Sequence, residues 1–171
     1  MGLFAKDIET LDDLFLGTLK AIYYAEHRIV ETLPKLIDKA TSPDLKQGFE
    51  THLRETEGQI DRLEQVFRAI GQEPDQSTCP AIDGILKAGD GMAGDIADKS
   101  VLDAALTYAA QLVEHYEIAQ YGTLIAWANQ LGRGDVIAPL EQTLEQEKAT
   151  DEKLTRLAEA KINQRAELQS A

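Results

Sequence analysis

The sequence predicts an all-α protein, a bundle of four long helices with one long crossover that contains a short helix. Three observations lead there. Apolar residues recur at intervals of three and four along almost the whole chain, which is the period of one helix face. Proline and glycine break that pattern in few places, and the breaks leave two short connections flanking one long one. With 171 residues, 43% of them hydrophobic, the chain has the length of one domain, residues 1–171, and enough apolar side chain to bury a core.

The first long helix spans about 10–40. Thr10 is its N-cap and Asp13 lies in its first turn, and one stripe carries Leu11, Leu14, Phe15, Ile22, Ala25, Ile29, Leu33 and Leu36. Pro34 falls inside it, where it removes one backbone hydrogen bond. Thr41-Ser42-Pro43 is a stop and a restart together, with Ser42 as N-cap and Pro43 at the first helical position. The second helix, about 42–71, buries Phe49, Leu53, Ile60, Leu63, Phe67 and Ile70. In 72–99, four glycines interrupt a weak apolar pattern around Ile82, Ile85 and Leu86, as expected of a crossover holding one short helix. Ser100 is expected to cap the third long helix, about 100–131, with Leu106, Val113, Leu124 and Trp127 inward. After a Gly132-Arg133-Gly134-Asp135 turn, the fourth spans about 136–162 through Leu140, Leu144, Leu154 and Ala158. The polar tail 163–171 is expected to fray.

Short connections make helices one and two antiparallel neighbours, and likewise three and four. The crossover between the pairs is long enough to return along the bundle edge, which is the single-crossover topology of ferritin-like bundles. A faint internal repeat agrees with two equivalent hairpins. Residues 25–33 match residues 116–124 at an offset of 91, and the interval from Glu26 to Glu55 is 29 residues against 30 from Glu117 to Glu147.

Seventeen Lys and Arg against 30 Asp and Glu leave a net charge of −13. Such a surface repels phosphate backbones, and no basic patch offsets it, so nucleic acid is excluded as a partner and cations are favoured. The single cysteine, Cys79, forms no intrachain disulfide and suits a reducing compartment. No apolar run is long enough to span a membrane, so the expectation is a soluble cytoplasmic protein.

The chemistry sits in acids on inward faces. On a wheel of about 100° per residue, Glu147 and Asp151 fall in the middle of the fourth helix's apolar stripe. Glu26 and Glu117 sit about 40° from the centres of theirs, whereas Glu55 falls roughly 90° away, at the boundary, and its neighbours His52 and Gln59 point inward better. Buried carboxylates need cations or protons to be tolerable. A pair of divalent metals is the economical answer, because facing helices can each contribute one Glu plus a second ligand a turn away. Glu114 and Glu117, three residues apart, can serve one cluster, and helix two offers His52-x-x-Glu55. Carboxylates with at most one imidazole favour iron or manganese over copper and over structural zinc.

Other features have plainer readings. Tyr23, Tyr24, Tyr116 and Tyr121 lie near the carboxylates as core filling, and His27 and His115 project to the surface. Gly89-x-Gly91-x-x-Gly94 has the spacing of a dinucleotide-binding loop but no preceding strand, and Asp90 and Asp95 would meet the phosphates.

The segments His52-Leu53-Arg54-Glu55-Thr56-Glu57-Gly58-Gln59-Ile60, Val113-Glu114-His115-Tyr116-Glu117-Ile118-Ala119 with Tyr121-Gly122-Thr123-Leu124, and Glu145-Gln146-Glu147-Lys148-Ala149-Thr150-Asp151 resemble the ferritin-like stress proteins of the YciE/YciF type. The resemblance covers nearly the whole chain. It implies a four-helix bundle related to rubrerythrins, a dinuclear iron-type centre, a homodimer and a role in bacterial stress. The chain departs from the rubrerythrin pattern of two Glu-x-x-His motifs, having Gly58 and Thr150 where the histidines would fall.

The expected centre therefore holds two Fe ions, with Mn as the other candidate. Glu55 and Glu147 bridge, Glu26 and Glu117 are terminal, and His52, Glu114 and Asp151 complete the shell. The expected reaction is ferroxidase-like or peroxide-consuming, with O2 or peroxide as the oxidant. Two rivals stand beside it, a dimanganese catalase-like enzyme and a non-catalytic dimeric helical module.

Overall fold

The computed structural model describes residues 8–168. Within them α1 spans Leu11–Lys39, α2 Pro43–Ala69, α3 Pro80–Asp95, α4 Lys99–Gln130, α5 Ile137–Leu157 and α6 Asn163–Leu168. A 3-10 turn, Gly134–Val136, leads into α5, and a π-helical turn, Ala158–Ile162, joins α5 to α6. No strand occurs among the described residues.

Local chemistry sets the ends of these helices. Thr10 accepts the Asp13 backbone N–H at 3.1 Å while the Asp13 carboxylate accepts the Thr10 N–H at 3.1 Å, a reciprocal capping box that satisfies two otherwise orphaned donors. Ser42 caps α2 with Pro43 at the first turn. Gly71 and Gly132, at φ 72° and 68°, end α2 and α4 in the left-handed region, and the N–H groups of Gln72 and Arg133 turn back to the carbonyls of Phe67 and Ala128, both at 2.9 Å.

Cross-helix contacts give the directions. Tyr23 on α1 packs edge-on against Phe67 near the end of α2, with ring centroids 5.4 Å apart, so α1 and α2 are antiparallel. Gln111 on α4 reaches Thr155 on α5 at 2.8 Å, so that pair is antiparallel too. The turn after α1 is bonded to Asp103 near the start of α4, while Asp12 at the start of α1 pairs with Arg133 just past the end of α4. α2 and α4 therefore run in the same direction, and the connection between them must travel the length of the bundle. α3 makes that journey alongside α1, with Tyr24 bonded to Asp83 at 2.9 Å and Lys39 to Asp90 at 2.8 Å. Gly89 lets α3 lie close on α4, since a Cβ there would stand 2.9 Å from the Ala109 Cβ. Of the motif's glycines only Gly89 makes a close approach; Gly91 and Gly94 face open space.

The core runs through all four long helices, with Phe15, Ile22, Phe49, Phe67, Leu124 and Leu140 each at 2% exposure or less. Three local expectations are corrected. The cap of α4 is Asp98, which accepts from the N–H groups of Ser100 and Val101 at 2.8 and 3.0 Å, because the helix begins at Lys99 and those are the first-turn donors left without a carbonyl. The fourth long helix stops being α-helical at Leu157, and the extra residue of the π turn rephases the chain so that Ile162 returns to the core at 2% exposure. Residues 163–168 of the polar tail are helical, the preceding Lys161 being held by Asp44 across the bundle, and residues 169–171 lie outside the described residues.

Asp103 clamps the bundle's closed end. Its carboxylate accepts the Thr41 N–H at 2.8 Å, the Thr41 hydroxyl at 2.7 Å and the Ser42 N–H at 2.8 Å, at 5% exposure. Hydrogen bonds to a charged acceptor contribute more than neutral ones, and their loss orphans buried donors. Asp103→Ala is expected to destabilise the fold by about 3 kcal/mol, lowering the denaturation midpoint in urea with an unchanged slope.

Candidate metal centre

The four long helices each place polar side chains at one level of the core. α1 brings Glu26, α2 His52 and Gln59, α4 Glu114 and Glu117, and α5 Glu147, all buried. Ligand atoms of His52, Glu114, Glu117 and Glu147 lie within 4.8 Å of one another, a group that could hold a metal ion. Glu26 adjoins them through Glu117 and accepts the Tyr121 hydroxyl at Oε1. The Gln59 amide donates to Glu147 Oε1.

This cluster lacks hydrogen-bond partners. Among the described residues nine buried side-chain nitrogen and oxygen atoms have none, and all except His27 Nε2 belong to Glu26, His52, Gln59, Glu114, Glu117 and Glu147. Both oxygens of Glu117 are among them, as are both nitrogens of His52. Native interiors leave few such atoms, so eight in one place indicate that something else belongs there.

Electrostatics agree. Burial raises the pKa of Glu26 to about 8, with the charge of Glu147 adding to it while Tyr121, Glu117 and Arg62 act the other way. Burial likewise raises Glu147 to about 7; the Glu114 hydrogen bond opposes this and the charge of Glu55 reinforces it. Glu114 and Glu117 rise well above the carboxylate range, again by burial first and then by repulsion from Glu147. Without a cation, burial and mutual repulsion favour protons on these carboxylates, Glu117 standing beside Glu26 and Glu114 beside Glu147. Burial, and then the charge of Lys153, lowers His52 to about 4. His52 Nε2 lies 3.2 Å from Glu114 Oε1 without hydrogen-bond alignment, so this is a neutral imidazole facing a carboxyl group rather than an ion pair. A neutral imidazole keeps a lone pair for a metal.

Two of the seven sequence-predicted residues stand apart. Glu55 is half-buried in the wall of a cavity of about 110 Å³ between α2, α4 and α5, which also reaches His52, Glu114 and Lys153. Its place at the edge follows from its boundary phase on α2. Asp151 has a side chain 22% exposed, accepts from Gln111 at 3.3 Å and stands 3.3 Å from the exposed His115. One turn beyond Glu147, it leans towards the α4 side of the stripe instead of into the centre. Of the four tyrosines only Tyr121 touches a cluster carboxylate; Tyr23 bonds Glu64, Tyr24 bonds Asp83, and Tyr116 meets Cys79 at 3.2 Å.

Arg62 was not legible as a site residue. Its guanidinium bonds Thr143 at 2.9 Å and Gln146, and its charge favours the ionised forms of Glu26 and Glu147. The available signal was its position three residues after Gln59, on the same helix face.

A family model described as a domain of unknown function (DUF892) matches residues 10–167. Protein YciF of Escherichia coli (strain K12) is 41% identical over 162 residues, 94% of this chain and 98% of YciF. The fold superposes on the crystal structure of the E. coli stress protein YciF with a TM-score of 0.87, covering 91% of this chain and 99% of that one. It superposes equally, at 0.87 and 55% identity, on YcfI, a putative structural protein from Rhodopseudomonas palustris, over 89% of this chain and 97% of that one. A Xanthomonas campestris protein at 20% identity, TM-score 0.75, shares the fold. Among the described residues no helix is long and apolar enough to cross a membrane. Matched over residues 10–167 by a family model and over 94% of its length by a relative at 41% identity, this helical bundle belongs to the YciF-like family that the DUF892 model describes.

Proposed function

We propose that the cluster is a dinuclear carboxylate metal centre for iron, and that the protein oxidises Fe(II) with O2 or consumes peroxide under stress in the reducing cytoplasm. The observation that carries this reading is the set of eight unpartnered buried polar atoms on six residues of four helices. Glu26, His52, Glu114, Glu117 and Glu147 are the proposed ligands, with Glu147 placed to be shared. Glu55, which lines the cavity beside them, is the proposed mobile bridge, and Asp151 is the outer member of the set. Oxygen donors with one imidazole suit iron and also manganese.

Iron in such a site supplies one-electron redox chemistry at a pair of adjacent ions. The protein's own groups do the rest. Glu114 and Glu117 give up protons as cations enter, Gln59 and Tyr121 hold Glu147 and Glu26 in place by donating to them, and the cavity beside His52 admits small reactants. The surrounding aliphatic shell excludes bulk water.

Anaerobic Fe(II) titration followed by air tests this. Two Fe(II) bound per chain and then rapid loss of ferrous iron support it. Absence of stoichiometric binding leaves the second reading, a helical module without chemistry, which the description of the R. palustris relative as a putative structural protein favours. Glu147→Ala is expected to abolish binding, and unchanged stoichiometry would refute its place at the centre.

A further inference from the structure

Where the crossover helix α3 lies against α1 and α4 it leaves a cleft of about 300 Å³. The small residues Gly89, Ala93 and Ala109 line it and do not fill it. Its walls are aliphatic, with Leu36 from α1, Ile85 and Leu86 from α3, Leu106 and Val113 from α4, and no aromatic ring. Thr32 is the one uncharged polar side chain there, and its hydroxyl already donates to the Arg28 carbonyl at 2.8 Å. Along α1 the lining runs from Arg28 to Lys39, about 17 Å at 1.5 Å per residue, so the cleft is elongated. Cations gather on it. Arg28, Lys35, Lys39 and Lys87 line it against Asp83 and Asp90 alone, on a chain with a net charge of −13. Asp83 is taken by Arg28 at 3.1 Å and Asp90 by Lys39 at 2.8 Å. Lys35, whose charge also reaches Asp90, and Lys87 have no ion-pair partner among the described residues. Positions 28, 35, 39 and 87 form no basic run in the sequence and meet only when α3 folds back along α1.

We propose that this cleft binds one medium-chain alkyl carboxylate, its head held by Lys35 and Lys87 and its chain laid along the aliphatic walls. Three features select that class. An elongated aliphatic trough suits an extended chain, and it offers no free donor or acceptor to a sugar or a base. Two uncompensated ammonium groups call for an anion, and their own methylene stems can cover the chain once it is bound. Size sets the length: at about 30 Å³ for a water-sized group, the volume holds about ten such groups, as decanoate requires. A nucleic-acid backbone brings more negative charge than this local patch can offset, and the acidic surface around it repels such a chain. None of the proposed metal ligands lines the cleft, so the site stands apart from the metal reading.

Isothermal titration calorimetry of the full chain with hexanoate, octanoate and decanoate tests this, in the presence and absence of Fe(II). One ligand per chain is expected in both conditions, with affinity rising about fourfold for each methylene buried. Octanol, which has the chain without the charge, is expected to bind the wild type about tenfold more weakly than octanoate. Lys35→Met combined with Lys87→Met keeps the stems and removes the charges. That variant is expected to weaken decanoate about tenfold, with unchanged helicity and unchanged Fe(II) stoichiometry. No saturable binding, affinity indifferent to chain length, or a double variant that binds decanoate as tightly as the wild type would each overturn the proposal and leave the carboxylate cluster untouched. Binding seen only with Fe(II) would overturn it by placing the carboxylate on the metal. A double variant of altered assembly mass, with no decanoate binding to the wild type, would give the lysines to an acidic protein surface instead.

Discussion

Glu117→Gln is expected to make the metal-free protein more stable at pH 8 while removing metal binding. Glu117 is fully buried, neither of its oxygens has a donor, and burial with repulsion from Glu147, Glu26 and Glu114 opposes its ionisation. A neutral amide of the same shape removes that penalty. Removing a buried acid that must stay protonated to be tolerated is expected to gain about 2 kcal/mol. For a chain of this length that corresponds to a rise of roughly 4–8 °C in Tm. Calorimetry of the two metal-free proteins reads it, and a lower Tm in the variant would show that Glu117 is satisfied in a way the geometry does not reveal. A residue whose loss stabilises the fold but removes binding is one kept for function.

The metal-free protein is expected to lose stability as pH rises from about 5 to about 8, and bound Fe(II) or Mn(II) is expected to abolish that loss. Glu26 and Glu147 titrate in the fold at about 8 and about 7, above the 4.5 of a free glutamate, so the unfolded chain gives up these protons first. Groups raised in the fold contribute stability that is intact below the unfolded pKa and lost as pH climbs through the folded one. Each coupled proton gives a slope of about 1.4 kcal/mol per pH unit. His52 acts oppositely. Lowered to about 4 from 6.5, it contributes stability present above 6.5 and lost as pH falls towards 4. Urea unfolding across this range, with and without metal under anaerobic conditions, is the measurement. Metal takes the place of the protons and flattens the alkaline limb. An alkaline limb equally steep in both states would contradict a cation at these carboxylates.

Much of the bundle could be read from residue order because its signals are local. Thr10 with Asp13, Ser42 with Pro43 and the glycines at 71 and 132 act within one turn, and the structure places them as capping chemistry predicts. Asp98 was missed because Ser100 is also a good cap, and only the backbone N–H positions decide between them. The π turn was illegible for a different reason: apolar spacing near Ala158 fits an ordinary helix until the chain must bring Ile162 back to the core. At the centre, helix phase identified Glu26, Glu117 and Glu147, and it marked Glu55 as marginal, where the structure puts it. Phase failed for Asp151, since a wheel gives direction from one axis but not which neighbouring helix stands there.

The claim on which everything rests is that cations, and not protons alone, complete the carboxylate cluster. Anomalous diffraction at the iron edge, from crystals of protein purified without chelator and soaked anaerobically in Fe(II), tests it most directly. Two peaks enclosed by Glu26, His52, Glu114, Glu117 and Glu147 are the predicted result. Ordered water in their place, with the acids joined pairwise and no anomalous density, would contradict it.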